Sequence, residues 1–303
     1  MSFSVTILGS SSALPTSNRY LTAHLLNVDE RFFLIDCGEG TQLQLRKFKA
    51  KFTRLNHIFI THLHGDHVFG LPGLISTLSL LGRRNDLHIY AHPQLEKILT
   101  QYLSNFFAKL DFTIVYHSLN LVSHELIYED NKIEVYSFPL RHRIPTCGFI
   151  FKEKQKLRNI RKDMIDYYKI PIRKIQSIKE GTDFITEDGN MVPNAKLTTD
   201  PHISKSYSFC SDTAFSTDII PYIINTDLLY HEATFSDEDK DRAAETFHST
   251  AKDAASIAKL ANAKKLIIGH FSARYKEITI LVEEARSIFP DTMAAEEGME
   301  IVI

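Results

Sequence analysis

One short segment, Thr61–His67, narrows the folds and chemistries open to this chain. A strand pattern over His57–Ile60 leads into it, and an apolar helix pattern over Val68–Leu81 follows it. His62 and His64 stand two apart in extended chain, so their side chains point the same way. Imidazole nitrogens and carboxylate oxygens are ligands that zinc and similar divalent metals accept. The segment therefore predicts a metal site at a strand-to-helix junction.

An alternative interpretation of this segment is a helix N-cap at Asp66 preceded by incidental histidines. Three histidines and an aspartate within six residues make that interpretation the weaker one. The spacing resembles the HxHxDH signature of the metallo-β-lactamase superfamily. That resemblance implies a two-zinc hydrolase on an α/β fold, the αβ/βα four-layer sandwich. The substrate has to be argued from the rest of the chain.

Composition sets the broad class of protein. A chain of 303 residues with 44% apolar content can bury a large α/β core. Its formal net charge of −2 gives no overall electrostatic case for nucleic acid, so any such case must be local. Three cysteines without zinc-ribbon spacing indicate free, buried thiols in a reducing compartment. Since no apolar stretch reaches membrane-span length and no basic leader precedes the first strand, we expect a cytoplasmic protein without membrane contact.

The local charge changes after Phe151. Between Lys152 and Lys179, ten basic residues oppose three acidic ones, with Tyr167 and Tyr168 interleaved. A solvated surface is one interpretation of such a run. A basic, aromatic-bearing insertion in a slightly acidic protein is better explained as an arm that binds phosphates, and we predict that residues 152–194 form it. The candidate RNA contacts are Lys152, Lys154, Lys156, Arg158, Arg161 and Lys162.

Strand and helix patterns alternate in both halves of the chain, which is typical of two sheets faced by helices. We therefore predict a single domain over residues 1–303 that carries the inserted arm. Polar residues recur where predicted strands end, namely His142, Asp212 and His270. Each is ambiguous by itself, because a turn residue or a core histidine would fit equally well. Loops at one edge of a sheet are nevertheless where α/β proteins place functional groups.

Together with the first cluster, these residues match the seven-ligand set of the dinuclear branch of the superfamily. The resemblance implies two metal sites joined by a bridging Asp212. By the same resemblance, the first site has the ligands His62, His64 and His142. The second site has the ligands Asp66, His67 and His270. A carboxylate suits the bridge because it has two donor oxygens. Aspartate at 212, where the classical β-lactamases carry a sulfur ligand, favours phosphoester and thioester substrates.

Three further motifs narrow the resemblance: His231–Thr234, His248–Thr250 and Gly269–Tyr275. They resemble the ribonuclease Z branch, the tRNA 3′-processing endonucleases. That implies a precursor tRNA substrate, a homodimer, and an arm that holds tRNA where this chain has its basic insertion. It also implies trailer removal by metal-activated water, leaving a tRNA 3′-hydroxyl and a trailer 5′-phosphate. The loop Pro15–Tyr20 departs from the PxKxRN pattern that the family associates with sensing a CCA end.

The resemblance makes Asp66 both a ligand and the proton acceptor that orients the attacking water. The departing 3′-oxygen needs a proton, and His248, held by Glu232, is the candidate general acid. A carboxylate partner fixes the tautomer of an imidazole and raises its basicity. The alternative for His248 is a helix-start residue beside a Ser249 cap. His231 is a possible supporting group.

Two rival functions use the same features. One is a general phosphodiesterase or arylsulfatase-like hydrolase of small esters, for which the arm would not affect turnover. The other is an RNA-binding module with a structural metal, which the mixed histidine and carboxylate set disfavours, because structural zinc sites are usually closed and cysteine-rich. The same ligands also accept manganese or iron, so the metal stays open.

Overall fold

Two seven-stranded sheets organise the part of the chain that the computed structural model describes, residues 3–51, 54–107 and 109–303. In spatial order, the first sheet consists of β20 (Glu300–Val302), β1 (Phe3–Gly9), β3 (Ala23–Val28), β4 (Arg31–Ile35), β5 (Leu55–Phe59), β6 (Leu87–Ala91) and β7 (Ile114–Ser118). The second sheet consists of β19 (Thr292–Ala294), β17 (Lys265–Gly269), β16 (Leu228–Glu232), β15 (Ser206–Cys210), β10 (Thr146–Glu153), β9 (Ile133–Leu140) and β8 (Glu125–Glu129).

Shorter pairs and helices complete the described elements. The pairs are β2 (Ser11–Ser12) with β18 (Phe271–Ser272), β11 (Asn159–Ile160) with β14 (Thr198–Thr199), and β12 (Phe184–Ile185) with β13 (Met191–Val192). The helices are α1 (Thr41–Lys47), α2 (Gly65–Val68), α3 (Leu71–Leu80), α4 (Gln94–Ser104), α5 (Lys162–Tyr167), α6 (Ile172–Lys179), α7 (Asn194–Leu197), α8 (Ile220–Ile223), α9 (Lys240–Thr246), α10 (Ala251–Leu260) and α11 (Thr279–Ile288).

Successive side chains along the strands point to opposite faces of each sheet, and packing on both faces gives four layers. In β5, Ile58 belongs to the apolar core that α1, α3 and α4 share with the first sheet. The next residue, Phe59, points to the opposite face, where its ring centroid lies 5.6 Å from that of Phe149 in the second sheet. Helices α10 and α11 cover the outer face of the second sheet, as in the packing of Leu281 with Ile268. The predicted αβ/βα four-layer sandwich is confirmed.

Local differences from the predicted elements have physical causes. The pattern over Val68–Leu81 predicts one helix, but the structure has α2 and α3, interrupted at Gly70. The Gly70 N–H donates to the Cys37 carbonyl at 2.8 Å, and a Cβ at position 70 would lie 2.1 Å from the Gly38 carbonyl oxygen. This close approach of two chain segments requires glycine and breaks the helix. Strand β10 was not predicted.

The chain divides into two compact units. The first comprises Met1–Glu129, Glu134–Phe151 and Ser206–Ile303, and the second comprises Asp130–Ile133 and Lys152–Lys205. The second unit has an apolar core of its own, formed by Ile170, Ile178, Phe184, Val192 and Leu197. The predicted insertion, residues 152–194, lies within this second unit.

The cysteines agree with the prediction of buried, free thiols. Cys37, Cys147 and Cys210 are buried and free. Among the described residues, the helices are all too short or too polar to cross a bilayer.

Candidate metal centre

The polar residues of the centre follow strands whose carboxyl ends meet at one edge. Asp36 follows β4, and His62 comes shortly after β5, which pairs with β4 in parallel. Asp212 and His270 follow β15 and β17, which both pair in parallel with β16. Neighbouring parallel strands end on the same side of a sheet, which is where open α/β sheets place their ligands. The loops that follow these strands therefore converge.

Asp212 lies between two groups of histidines. Its Oδ2 is 3.5 Å from Nε2 of His62 and 3.6 Å from Nε2 of His142. Its Oδ1 is 3.1 Å from Nε2 of His67 and 3.1 Å from Nε2 of His270. Asp212 is buried and adopts a left-handed φ of 48°, which turns the chain sharply after β15. One carboxylate thus presents a separate oxygen to each group.

The two remaining predicted ligands complete the groups. Nδ1 of His64 lies 3.0 Å from Nε2 of His62 and 3.3 Å from Nε2 of His142. Oδ2 of Asp66 lies 3.5 Å from Nε2 of His67 and 3.6 Å from Nε2 of His270. Within each group, the donor atoms lie within 4.8 Å of one another. The structure therefore brings all seven predicted residues together.

Hydrogen bonds on the other ring nitrogen orient three of the imidazoles. The Nδ1–H of His67 donates to the Asp36 carboxylate at 2.7 Å. The Nδ1–H of His142 donates to the Phe247 carbonyl at 3.0 Å, and Nδ1 of His270 lies 3.0 Å from the hydroxyl of Thr234. Partners of this kind fix the tautomer and leave Nε2 free for a metal.

The donor atoms fit a divalent cation. Nε2 of His67 and of His270 is buried and has no hydrogen bond of acceptable geometry within the described chain, although Oδ1 of Asp212 is 3.1 Å from each. Buried polar atoms are normally satisfied. A cation between these nitrogens and the carboxylate would satisfy both. The mixture of imidazole nitrogen and carboxylate oxygen suits zinc and related metals.

Electrostatics hold Asp212 and His62 in the forms that bind a metal, whereas they favour the protonated form of His67. Burial would raise the pKa of Asp212, but the surrounding histidines hold it well below its usual range. Burial, helped by the neighbouring His67, lowers the pKa of His62 to about 4. For His67, burial would lower the pKa, but three nearby carboxylates outweigh it and raise the pKa well above its usual range. Metal ligands bind as carboxylates and neutral imidazoles, so His67 would have to be neutral to hold a metal.

His248 and Glu232 form an ion pair beside the seven residues. Oε1 of the buried Glu232 lies 2.8 Å from Nδ1 of His248 and also accepts the Thr213 N–H at 2.7 Å. Burial would lower the pKa of His248, but Glu232 outweighs it and raises the pKa to about 9. The His248 ring centroid lies 5.1 Å from that of His142 and 5.4 Å from that of His270. A protonated imidazole therefore borders the centre at neutral pH.

The local chain around His248 differs from the helix-start alternative. Helix α10 is capped by Thr250, which exchanges hydrogen bonds with Asp253 in a capping box. The hydroxyl of Ser249 instead donates to the Thr213 carbonyl at 2.6 Å. His248 thus precedes the helix and has Glu232 as its partner. His231 lies on the opposite face of β16 from Glu232, and its Nδ1 hydrogen-bonds the Glu232 carbonyl at 2.8 Å.

A cleft of about 670 Å³ opens onto the centre. Its lining includes His64, Asp66 and His248, so the cleft gives access to both groups and to the ion pair. Three arginines also line it: Arg143, Arg242 and Arg274. Guanidinium groups bind phosphate oxygens well. The cleft therefore combines a candidate metal centre with positive charge.

Three contributors to the centre were not identified from the sequence. Asp36 carried a usable signal, because it directly follows a strand, as His142 and Asp212 do. Thr234 stands in the His231–Thr234 motif, although nothing in that motif assigns it to His270. Phe247 contributes its carbonyl from a left-handed conformation with φ 58°. Any residue type supplies a carbonyl, so the sequence holds no signal for it.

At least three of the six candidate RNA contacts form ion pairs. In the second unit, Lys156 pairs with Glu153 at 3.0 Å, Arg158 with Asp200 at 2.8 Å, and Arg161 with Asp163 at 2.8 Å. Arg158 also donates to the Thr198 hydroxyl at 2.7 Å, which gives it a structural role. Two further candidates, Lys152 and Lys162, are exposed.

Comparisons with known proteins agree with this geometry. A family model described as Anti-Pycsar protein Apyc1 matches residues 3–159. Ribonuclease Z of Phocaeicola vulgatus is 51% identical over 301 residues, which cover 99% of this chain and 97% of the relative. The crystal structure of the short form of human tRNase Z superposes with a TM-score of 0.72 at 29% identity, covering 98% of each chain. The metallo-β-lactamase fold protein YhfI of Bacillus subtilis gives a TM-score of 0.71 at 17% identity, covering 100% of each chain. The first relative matches this chain almost end to end, whereas the family model ends before Asp212 and His270.

Proposed function

This chain belongs to the ribonuclease Z family of the metallo-β-lactamase superfamily, and we propose from that membership how its centre acts on precursor tRNA. The protein is a metal-dependent endoribonuclease of tRNA 3′ processing. The position of Asp212, with one oxygen toward each histidine group, is the observation that carries the proposal. It supports two cations rather than one.

We assign two zinc ions to the seven residues. His62, His64 and His142 would hold the first ion. Asp66, His67 and His270 would hold the second, with Asp212 shared between the two. When bound, such a pair lowers the pKa of water between the ions and neutralises the negative charge that grows on the reacting phosphate.

Two side chains beside the metal ions would each carry out one proton transfer. Asp66, fixed by the Ala13 N–H at 2.9 Å, accepts the proton of the attacking water. The water oxygen bonds to phosphorus, and the bond from phosphorus to the tRNA 3′-oxygen breaks. His248, charged at neutral pH, donates its proton to that departing oxygen. Water is the nucleophile, so the RNA 2′-hydroxyl takes no part in the attack.

Incubation with a precursor tRNA that carries a 3′ trailer tests the proposed function directly. Mapping of the product ends should give a tRNA with a 3′-hydroxyl and a trailer with a 5′-phosphate. A chelator should abolish cleavage, and separate addition of zinc, manganese or iron should show which ion restores it. An uncut precursor would contradict the function. A 2′,3′-cyclic phosphate would contradict attack by water.

We propose that four exposed basic residues of the second unit, called here its basic side, hold the body of the tRNA. Lys152 and Lys162 are exposed, as are Arg173 and Lys174 of α6. RNA releases counterions in proportion to the phosphates that a protein neutralises, so such contacts make affinity depend on salt. A small ester offers no distant phosphates. The basic side should therefore matter for tRNA and not for small substrates.

Changing Lys152, Lys162, Arg173 and Lys174 together to glutamine should weaken precursor-tRNA binding and flatten its salt dependence. Each lost phosphate contact lowers the slope of log affinity against log salt by about 0.7 to 1. Hydrolysis of bis-p-nitrophenyl phosphate should continue at the original rate. The binding constant measured over a salt series gives the slope.

A matched control changes two exposed lysines of the first unit, Lys259 and Lys265, to glutamine. The control should retain the original slope. If the fourfold variant also retained the original salt slope, the basic segment would be only a solvated insertion. Hydrolysis of small esters would then be the better-supported function. The homodimer implied by the family stays a prediction, which the molar mass in solution addresses.

A further inference from the structure

Two large apolar side chains are exposed in the cleft beside the metal centre. Phe69 is 69% exposed and Leu14 is 63% exposed, and both line the cleft. Scattered exposed apolar residues are ordinary on protein surfaces. Two of them at the entrance to a reaction centre are informative, because each is held in place by the residues that form the centre.

Phe69 is held against the metal-binding loop. Its ring packs on Gly65, where an added Cβ would lie 2.3 Å from the ring atom Cε2. Gly65 stands between His64 and Asp66, so the ring rests directly on the backbone between two predicted ligands. The ring therefore keeps a fixed position relative to the centre while its outer face stays open to the cleft.

Leu14 is held by the small-residue loop after β1. The Ala13 N–H donates to Oδ2 of Asp66 at 2.9 Å, and Ala13 adopts a left-handed φ of 54°. The Leu14 N–H donates to the Ser12 carbonyl at 2.6 Å, and the Leu14 carbonyl accepts the Ser11 hydroxyl at 2.8 Å. The Leu14 backbone is thereby held one residue from the contact between Ala13 and Asp66.

Cationic side chains line another part of the cleft. Arg143 follows His142 in sequence, and its guanidinium donates to the Glu245 carbonyl of α9 at 3.1 Å. Arg242 belongs to the same helix and also lines the cleft. The cleft therefore has exposed apolar side chains on the segments that contact the Asp66 loop, and arginines on the segments that adjoin His142 and His248 in sequence. A nucleotide chain has these two kinds of surface, bases and phosphates.

We propose that Phe69 and Leu14 form a subsite for the base of the first trailer nucleotide. The inference rests on the proposed function, in which His248 serves the departing tRNA 3′-oxygen and Asp66 serves the attacking water on the other side of the phosphorus. The trailer nucleotide keeps the reacting phosphate, and its phosphorus moves toward the attacking water, on the Asp66 side, as the bond to the tRNA 3′-oxygen breaks. Stacking on an aromatic ring accepts any base, because every base has a π face, so the subsite suits trailers of varied sequence.

The test compares two precursor tRNAs that differ only at the first trailer nucleotide, one with its base and one abasic there. Phe69→Ala should lower kcat/KM roughly 5- to 100-fold on the intact precursor, the scale of one base–aromatic stack. On the abasic precursor, the same substitution should change kcat/KM little. Phe69→Tyr keeps the aromatic ring, so this variant should cleave the intact precursor with a kcat/KM close to that of the unsubstituted protein.

Phe106→Ala is the matched control, since Phe106 is 66% exposed and does not line the cleft. It should cleave both precursors as the unsubstituted protein does. An equal loss for Phe69→Ala on both precursors, or a reduced metal content in that variant, would overturn the subsite and assign Phe69 to shaping the metal loop. Unchanged cleavage of the intact precursor by Phe69→Ala would overturn it as well. An unsubstituted protein that leaves precursor tRNA uncut would overturn the proposed function and the subsite together.

Discussion

Replacing Asp212 with alanine should leave a protein that binds neither metal ion and hydrolyses neither tRNA nor small phosphodiesters. The two oxygens of Asp212 face different histidine groups, and its loss removes one donor from each. The histidines left behind would also lose the negative charge that offsets a cation. The loss of activity should exceed the roughly 10- to 100-fold that follows removal of an outer hydrogen-bonding partner. Elemental analysis of the purified variant gives the metal count per chain.

Two companion variants show whether the effect belongs to the bridge. His64→Ala removes a donor from one group alone, so it should lose one ion more readily than the other. Asp218→Ala changes an exposed aspartate outside the two groups and should keep the full metal content. If Asp212→Ala retained two full equivalents of metal, the bridging assignment would be wrong.

The sequence predicts the fold where local pattern and tertiary environment agree. The strand pattern over His57–Ile60 corresponds to strand β5, Leu55–Phe59, to within two residues at each end. The division between α2 and α3 was not predictable in this way. It depends on the distance between Gly70 and the Gly38 carbonyl, two segments that meet only in the folded chain. The apolar periodicity over Val68–Leu81 continues through Gly70, so the sequence pattern does not indicate the break.

The candidate site was predictable for a different reason. Divalent metals are bound by a few residue types, so the His62–His67 cluster is visible in the sequence. The resemblance to the dinuclear branch of the superfamily then added His142, Asp212 and His270, which are ambiguous by themselves. Their supporting contacts are less visible. The Phe247 carbonyl that holds His142 is common to all residue types, and the pairing of Arg158 with Asp200 depends on the fold of the second unit. The motif and the family resemblance therefore identify the centre, while the orientation of its side chains and the ion pairs of the basic residues require the structure.

His248→Ala should retain both metal ions and lose rate, because His248 lies beside the seven residues and is held by Glu232. A general acid typically contributes roughly 10²- to 10⁴-fold, and we expect a loss in that range on precursor tRNA, whose 3′-oxygen is a poor leaving group. On bis-p-nitrophenyl phosphate the loss should be small, since p-nitrophenolate departs without a proton. Single-turnover rates on both substrates, with the metal content of the variant, make the comparison.

The pH dependence of tRNA cleavage is a second test of whether His248 donates the proton. Burial would lower the pKa of His248, but Glu232 raises it to about 9, so the imidazole is charged below that pH and loses its proton above it. Cleavage should therefore decline as the pH rises through that value. Glu232→Gln removes the carboxylate while keeping a similar shape, and the decline should move to lower pH. Equal losses for His248→Ala on both substrates, or a decline that stays in place in Glu232→Gln, would remove His248 from the general-acid role.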